Sequence, residues 1–508
     1  MTAMPLSTTA APTEISSVTR DARWRGAPPR VIQGGMGVAI SGWPLARAVA
    51  SVGQLGVVSG TALDVVCARR LQDGDTGGHV RRALAAFPVP RVAEWILAAY
   101  FVEGGIAPGE AYRPVPRHTV ASGEKLLELT VAANFVEVFL AKEGHEGLVG
   151  VNYLHKIDLP LPAACFGALL AGVDVVLVGA GNPADIPALV RGLATGEDVR
   201  LAIKVMGSQV ADGPTEVLFR PRSVVPGVAA LPVPLVLAII ASNDLASGLV
   251  ADPATRPDGF VVEGPSAGGH NAPPRGPRAL DGLGQPVYGE RDEVDIASVV
   301  ALGLPVWVAG GRATPGGLRA ALASGAAGIQ AGTVFAYSDE SGFPDDIKAR
   351  VREGALRGDL LVRADWRVSP TGFPFRVAEL PGTLTDPEVA AARQPVCDLG
   401  ALRQAYRRPD GGVDFRCPAE PQKAYLRKGG REVNREGRVC LCNALLAAAG
   451  LPQRRPKGAV EPALVTAGGD LAPVVTMLGR RRAGATGYTA AEVVAHLLTG
   501  AEPEASTG

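Results

Sequence analysis

Val262-Glu263-Gly264-Pro265-Ser266-Ala267-Gly268-Gly269-His270 ends a β-branched run in two glycines and a histidine. An unbroken apolar run of this kind suits a parallel strand buried on both faces. The glycines let backbone approach a ligand closely. Histidine is the side chain best suited to proton transfer near neutral pH. A strand end that offers bare backbone and one base points to an enzyme site at the carboxyl edge of a parallel sheet.

The same grammar recurs outward from this stretch. Val31–Gln33 leads into Gly34-Gly35-Met36-Gly37, and Leu55–Val58 into Ser59-Gly60-Thr61. Leu148–Leu154 contains Asn152, and Val173–Val178 leads into Gly179-Ala180-Gly181-Asn182-Pro183. Leu235–Ala241 leads into Ser242-Asn243, and Phe260–Glu263 into the Gly-Gly-His segment. Pro305–Ala309 leads into Gly310-Gly311, and Gly328–Ala331 into Gly332-Thr333. Helical periodicity marks Trp43–Val52, Ser122–Glu143, Pro162–Ala171, Ala184–Leu193 and Thr314–Ser324, the last with proline at its start. Alternation of strands and helices means a parallel sheet. The fold class is therefore α/β, and eight such units predict a (β/α)8 TIM barrel. An open doubly wound sheet is the alternative.

Two stretches interrupt the pattern. Ala62–Ser122 is too long for a simple crossover and contains an amphipathic piece, Arg91–Val102. Arg200–Val225 alternates like a hairpin, with Leu201, Ile203 and Val205 on one face. Both read as insertions (about 62–122 and 200–225) on a barrel spanning 29–344. From Asp345 the charges rise and strand signals fade, so 345–508 is expected to be a helical, loop-rich C-terminal extension packed on the barrel. Residues 1–28 are dominated by Thr, Ala, Ser and Pro and lack an apolar signal core, so they read as a mostly disordered arm.

Composition narrows the function classes. The chain has 508 residues and zero formal net charge, which gives no support for nucleic-acid binding. It is 47% hydrophobic but only 5% aromatic, so the core must be built from Ala, Val, Leu and Ile. No apolar run is long and clean enough to span a membrane, and a cytoplasmic location is expected. Six cysteines in so long a chain argue against a disulfide scaffold.

Several residues can carry chemistry. His270 is the best candidate base; its blander role is a hydrogen bond within the loop. Gly310, Gly311, Gly332 and Thr333 sit at the last two strand ends, where barrels often hold a phosphate. Glycine-turn N–H groups, a helix N-terminus and a hydroxyl are apt donors to a dianion. In a chain with 64 glycines, each pair can equally be a tight turn. Gly34-Gly35-Met36-Gly37 can lay backbone against a flat ring, and no acidic residue follows at the spacing of a dinucleotide site. Asn152, an amide inside an apolar strand, either pairs with backbone or faces a polar ligand. Asp174 reads as a strand-start residue at the barrel bottom. Arg275, after two prolines, can present a cation to a substrate carboxylate, nitro group or phosphate, or lie on the surface. Cys397, Cys417, Cys440 and Cys442 raise a zinc or iron–sulfur site, but the spacing fits no standard knuckle, and reduced structural thiols are favoured. The basic runs Arg454-Arg455 and Arg480-Arg481-Arg482 read as solvated surface.

Taken in order, Val31–Gly37, Gly179–Pro183, Ala267–His270, Ala309–Gly311 and Gly328–Thr333 resemble the nitronate monooxygenases, also called 2-nitropropane dioxygenases. These are FMN-dependent TIM-barrel flavoproteins. The resemblance runs from about Val31 to Tyr337. It implies FMN at the barrel mouth, with Gly35, Met36, Gly268 and Gly269 near the isoalloxazine. It implies phosphate contacts from Gly310, Gly311, Gly332 and Thr333, with Gln330 beside them. Asn152, Gly181, Ser242 and Ala267 complete the implied cofactor set, Ser242 standing where many members carry a lysine. His270 is implied to take the α-proton of a nitroalkane or to orient a nitronate, with O2 as electron acceptor. The segment Asn271–Arg275 departs from the family pattern after this histidine.

Three functions follow as expectations. The first is an FMN-dependent oxidoreductase acting on nitronates or nitroalkanes with O2. The second is a flavin enoyl-thioester reductase, which would use NAD(P)H and an acyl carrier protein. The third is a non-catalytic flavin-binding scaffold. The apolar insertion also suggests a homodimer.

Overall fold

All eight expected barrel strands form in one parallel sheet: Val31–Gln33, Gly56–Ser59, Val149–Leu154, Val175–Gly179, Leu235–Ile240, Gly259–Glu263, Val306–Ala309 and Gly328–Ala331. They are named here the first to eighth barrel strands. The computed structural model describes residues 24, 26–455, 458–482 and 484–501. Each strand pairs with its sequence neighbour, and the eighth pairs with the first through Val31–Ile329, Ile32–Gln330 and Gln33–Ala331. The first and second strands meet at an Ile32–Leu55 bridge, where Gln33 N–H donates to Leu55 O at 3.0 Å. The sheet therefore closes, which decides for the (β/α)8 barrel over the open sheet.

Alternation explains why the strands read as continuous apolar runs. Val175 and Leu177 point into the barrel with Ile32, Leu55, Leu237 and Val261. Val176 and Val178 point outward under the helices. Both faces are dry, so both positions must be apolar. The barrel interior also holds Trp307, fully buried, whose Nε1–H donates to Pro29 O at 2.8 Å. Trp24 packs against it with ring centroids 5.3 Å apart. Most of the expected arm 1–28 lies outside the described residues; Trp24, within it, is only 4% exposed. A lone tryptophan in a polar stretch carries no periodic signal of its burial.

The helices cover the outer face. Pro315–Ala323 begins at Thr314, whose hydroxyl accepts from Gly317 N–H at 2.9 Å. The insertion after the second strand folds as three helices, Leu63–Gln72, His79–Ala85 and Pro90–Tyr100. The apolar face of the last of these (Val92, Ala93, Ile96, Tyr100) is buried in the same core as helix Glu124–Lys142. Its own chain covers that face. The expected hairpin forms from Val199–Ile203 and Thr215–Phe219, with Leu201 and Ile203 buried on one face.

Beyond residue 344 the extension carries helices including Asp345–Arg357, Leu441–Ala448, Ala472–Arg480 and Ala490–Leu498. It also holds four short strands that the sequence reading lacks: Val362–Asp365, Phe375–Ala378, Gln404–Arg407 and Val413–Arg416. Each spans four residues of mixed polarity, too few for period-two alternation to stand out. Phe375–Ala378 pairs with Gly269–His270, so the extension adds a strand to the histidine loop. No helix among the described residues is long and apolar enough to cross a membrane.

Candidate functional site

The carboxyl ends of the barrel strands surround a cavity of about 250 Å³. Gly35, Met36, Asn152, Ala267, Gly268, Gly269, His270, Gly310, Gly311, Gln330, Gly332 and Thr333 all line it. The extension roofs it with residues that include Leu399, Leu402, Ala467 and Gly468.

Glycine is required at particular points of this wall. A Cβ on Gly35 would sit 2.4 Å from the Asn152 Cβ, so backbone and amide pack in contact. Gly310 and Gly311 have φ of +84° and +66°, a left-handed turn that L side chains rarely adopt. Ser266 stands at this turn, its hydroxyl 3.1 Å from where a Gly310 Cβ would lie. Thr333 Oγ1 accepts from Gly468 N–H at 2.7 Å, which ties the roof to the last strand end.

Two buried acceptors in the wall lack partners. Asn152 Nδ2 donates to Gly35 O at 2.9 Å, but its Oδ1 is buried without a donor. Gln330 Oε1 is likewise buried and unpaired. An unsatisfied buried acceptor costs about 1–3 kcal/mol, so these positions call for a guest that brings N–H or O–H groups. A flat, polar-edged ring system above a glycine floor meets that demand, and the residues present fit FMN.

His270 is held by the extension. Its Nε2 lies 2.7 Å from Ser369 Oγ, which lies 2.7 Å from Thr371 Oγ1. The ring meets Phe375 edge-on at 4.7 Å. Burial, reinforced by the Lys156 charge, pushes the imidazole well below its ordinary range, so it is neutral at pH 7. Two further titratable groups stand nearby: Lys156, whose charge acts on His270, and Glu263, which lines the same cavity and pulls on Lys156. Burial pushes the Glu263 carboxyl up to about 7, against the pull of Lys156. Burial brings Lys156 down to about 8, against the pull of Glu263, and its Nζ lies 4.7 Å over the Phe373 ring. The sequence reading assigned no role to Lys156, Glu263, Ser266 or Ser369. A carboxylate at the end of an apolar strand was the available signal for Glu263.

Three expected residues lie outside the cavity. Gly179 and Ala180 line it, but Gly181 does not. A Cβ on Gly181 would sit 2.8 Å from the His155 ring, so this glycine makes room for packing. Ser242 is the N-cap of helix Asn243–Ala251 and accepts from Leu245 N–H at 3.1 Å. Arg275 is exposed, and its guanidinium donates to the carbonyls of Ala241 and Arg291. Its N–H donates to Asp292 Oδ1 at 2.7 Å, so Arg275 fastens a surface loop. Cys417, Cys440 and Cys442 pack together as free thiols. Burial pushes Cys417 up to about 12 and Cys440 up to about 11, which keeps both protonated. Among the described residues, no group of His, Cys, Asp or Glu is arranged to hold a metal ion.

Residues 233–406, from just before the fifth barrel strand into the extension, match the family described as nitronate monooxygenase. Two curated relatives are "(3aS,4S,5R,7aS)-5-hydroxy-7a-methyl-1-oxo-octahydro-1H-indene-4-carboxyl-CoA dehydrogenase" proteins. The one from Mycobacterium tuberculosis is 33% identical over 121 residues, covering 24% of this chain and 29% of that protein. The one from Rhodococcus jostii is 38% identical over 120 residues, covering 24% and 28%. The chain thus spans under a third of the length of these relatives. Similar solved structures include FabK from Thermotoga maritima, at 16% identity, a TM-score of 0.46 and coverage of 94% of both chains. Nitroalkane oxidase from Streptomyces ansochromogenes has 16% identity, a TM-score of 0.46 and coverage of 94% of this chain and 97% of that one. The segment 233–406 that matches the nitronate monooxygenase family carries Glu263, the Gly-Gly-His loop and the glycine turns of the last two strands.

Proposed function

We propose that this chain is an FMN-dependent oxidoreductase that oxidises nitronates and nitroalkanes with O2, with His270 as the base. The observation that carries the reading is the pair of unpartnered buried acceptors, Asn152 Oδ1 and Gln330 Oε1, in a glycine-walled cavity beside a neutral histidine. Gly35, Met36, Asn152, Ala267, Gly268 and Gly269 would hold the ring of FMN. Gly310, Gly311, Gly332 and Thr333 would hold its phosphate end, and Gln330 Oε1, beside them, would accept from an N–H or O–H group of FMN. When bound, FMN accepts electrons from the substrate and passes them to O2.

The chain's own residues bind, orient and move a proton. Neutral His270 takes the α-proton of a nitroalkane. Its Nε2 stays anchored on Ser369, so the ring cannot swing out of the cavity. Lys156 supplies a positive field for the nitronate that results. The roof from the extension excludes water and so strengthens these interactions.

The test of this reading is an absorbance spectrum of the purified protein, followed by anaerobic titration with a nitronate and, separately, with NADPH. FMN bands that bleach with the nitronate and return with O2 are expected. A colourless protein that takes up no added FMN would overturn it. The second reading, an enoyl-thioester reductase, draws on the CoA-thioester named in both curated relatives. Bleaching by NADPH and not by a nitronate would select that reading.

Affinity for a nitronate is expected to fall as pH rises from 7 to 8. Glu263 gains its charge as pH rises through about 7, and Lys156 loses its charge as pH rises through about 8. The pair is therefore net positive below 7, neutral between, and net negative above 8. Each step should weaken binding of an anion on the order of tenfold. Glu263→Gln removes the step near 7. Dissociation constants for propyl nitronate, read from flavin absorbance across pH 6–9, check this, and a Glu263→Gln profile identical to wild type refutes it.

A further inference from the structure

A second cavity, of about 60 Å³, lies behind the wall of the first. Thr61, Leu154, Ile157 and Leu399 line both, so the two spaces adjoin across these side chains. The second cavity is otherwise bounded by barrel residues such as Tyr153, Asp158 and Ala164 and by two additions to the barrel. The insertion contributes Val65, Val115 and His118, and the extension contributes Arg403.

Its polar wall groups, apart from Thr61 at the boundary with the first cavity, already have partners; among them burial pushes the Asp158 carboxyl up to about 6, and it accepts from the backbone at Asp158 and Leu159. His118 Nε2 is 2.9 Å from Asp64 Oδ2. Tyr153 OH shares its one proton between Asn134 Oδ1 at 3.0 Å and Ala164 O at 2.9 Å. Thr130 Oγ1 donates to Leu126 O at 2.8 Å. Arg403 donates from Nη2 to His118 O at 2.6 Å and from Nε to Gly400 O at 2.9 Å. A guest that makes no hydrogen bonds therefore leaves none of these groups newly unsatisfied. Val65, Val115, Ile157 and Leu159 present hydrocarbon to it. The volume equals about two water molecules' share of the liquid, room for the end of an aliphatic chain.

We propose that this second cavity is a subsite for the unreactive aliphatic arm of the substrate, entered from the barrel-mouth cavity past Ile157 and Leu399. The inference deepens the proposed function and rests on it for the identity of the reacting group. It makes the enzyme selective for substrates whose chain continues several carbons beyond the reacting carbon. The insertion and the extension contribute to that selectivity, because they complete the wall of the subsite.

The test uses the flavin-loaded enzyme and two homologous series. One is the nitronates of nitropropane to nitrooctane, read by kcat/KM. The other is the linear carboxylates from propionate to octanoate, read by calorimetric binding without turnover. Burial of one methylene is worth about fourfold in affinity. The carbons that reach the second cavity should each add about that factor, on the order of tenfold in all, before a plateau. Val115→Trp fills the space from a wall that the first cavity does not share. It should abolish the gain for the longer members of both series and leave the shortest members within about twofold.

Flat chain-length dependence in the wild-type protein overturns the subsite. Dependence that persists in Val115→Trp also overturns it, because the arm then lies elsewhere. Should Val115→Trp not fold, the wild-type carboxylate series still decides by its slope and plateau. Turnover of nitronates without chain-length dependence leaves the proposed function standing and the subsite refuted. Chain-length-dependent carboxylate binding without nitronate turnover does the reverse.

Discussion

Replacing His270 with alanine is expected to lower turnover of a neutral nitroalkane by about 10²–10⁴-fold, the usual contribution of general-base catalysis. The preformed nitronate, which has no proton to lose, should fall far less. The structure supports this contrast in two ways. The imidazole lines the cavity and is fixed through Nε2 on Ser369 at 2.7 Å, so it has one orientation. Burial and Lys156 hold it well below its ordinary range. It is therefore in the proton-accepting form throughout the neutral range, and the acid limb of its pH profile should lie well below pH 6.5. Steady-state kinetics with nitroethane and with ethyl nitronate check the contrast. Equal loss on both substrates would remove the base role and leave only a part in binding. The folded state prefers the neutral ring, so the same burial contributes stability at neutral pH. That contribution should drain away as pH falls below the unfolded value of about 6.5.

Trp307→Ala should destabilise the fold by about 3–5 kcal/mol, the range for deleting a fully buried large aromatic side chain. Trp307 is 0% exposed and sits inside the barrel. Its loss removes the packing of Trp24 at 5.3 Å and leaves the Pro29 carbonyl without the Nε1–H donor now 2.8 Å away. Neighbours on the closed sheet cannot collapse into the space, because each strand is held on both sides. Guanidinium-induced unfolding followed by circular dichroism measures the effect. A loss below about 1 kcal/mol would mean that the barrel interior repacks freely, contrary to the usual response of a dense core. Trp307 does not line the barrel-mouth cavity, so the flavin spectrum of the folded variant should match that of wild type.

The strands of the barrel were legible because each is dry on both faces. Val175–Gly179 and Leu235–Ile240 read as unbroken apolar runs, and their ends carry glycine or a small polar residue. The loop glycines at 35, 268, 269, 310 and 311 were legible for the same local reason, since a turn or close approach at a strand end selects glycine wherever the rest of the chain lies. His270 could be singled out from its neighbours alone. The four-residue strands of the extension could not, because too few alternating positions exist to show a period.

Tertiary structure decided which side chains enter the site. Arg275, Ser242 and Gly181 have suitable chemistry and stand near strand ends. The carbonyls of Ala241 and Arg291, the N–H of Leu245 and the His155 ring account for them instead. Lys156 follows a different barrel strand from the one before His270, and Ser369 comes from the extension, so only barrel closure and docking of the extension bring them to His270. The sequence by itself determined the eight parallel strands, their dry core and the glycine floor, because burial and backbone conformation act residue by residue, whereas closure of the sheet into a barrel came from the pairing of its first and last strands. Only the tertiary structure decided the charges around His270, the roof and the second cavity, because electrostatic coupling and enclosed volume depend on distances between segments far apart in the chain.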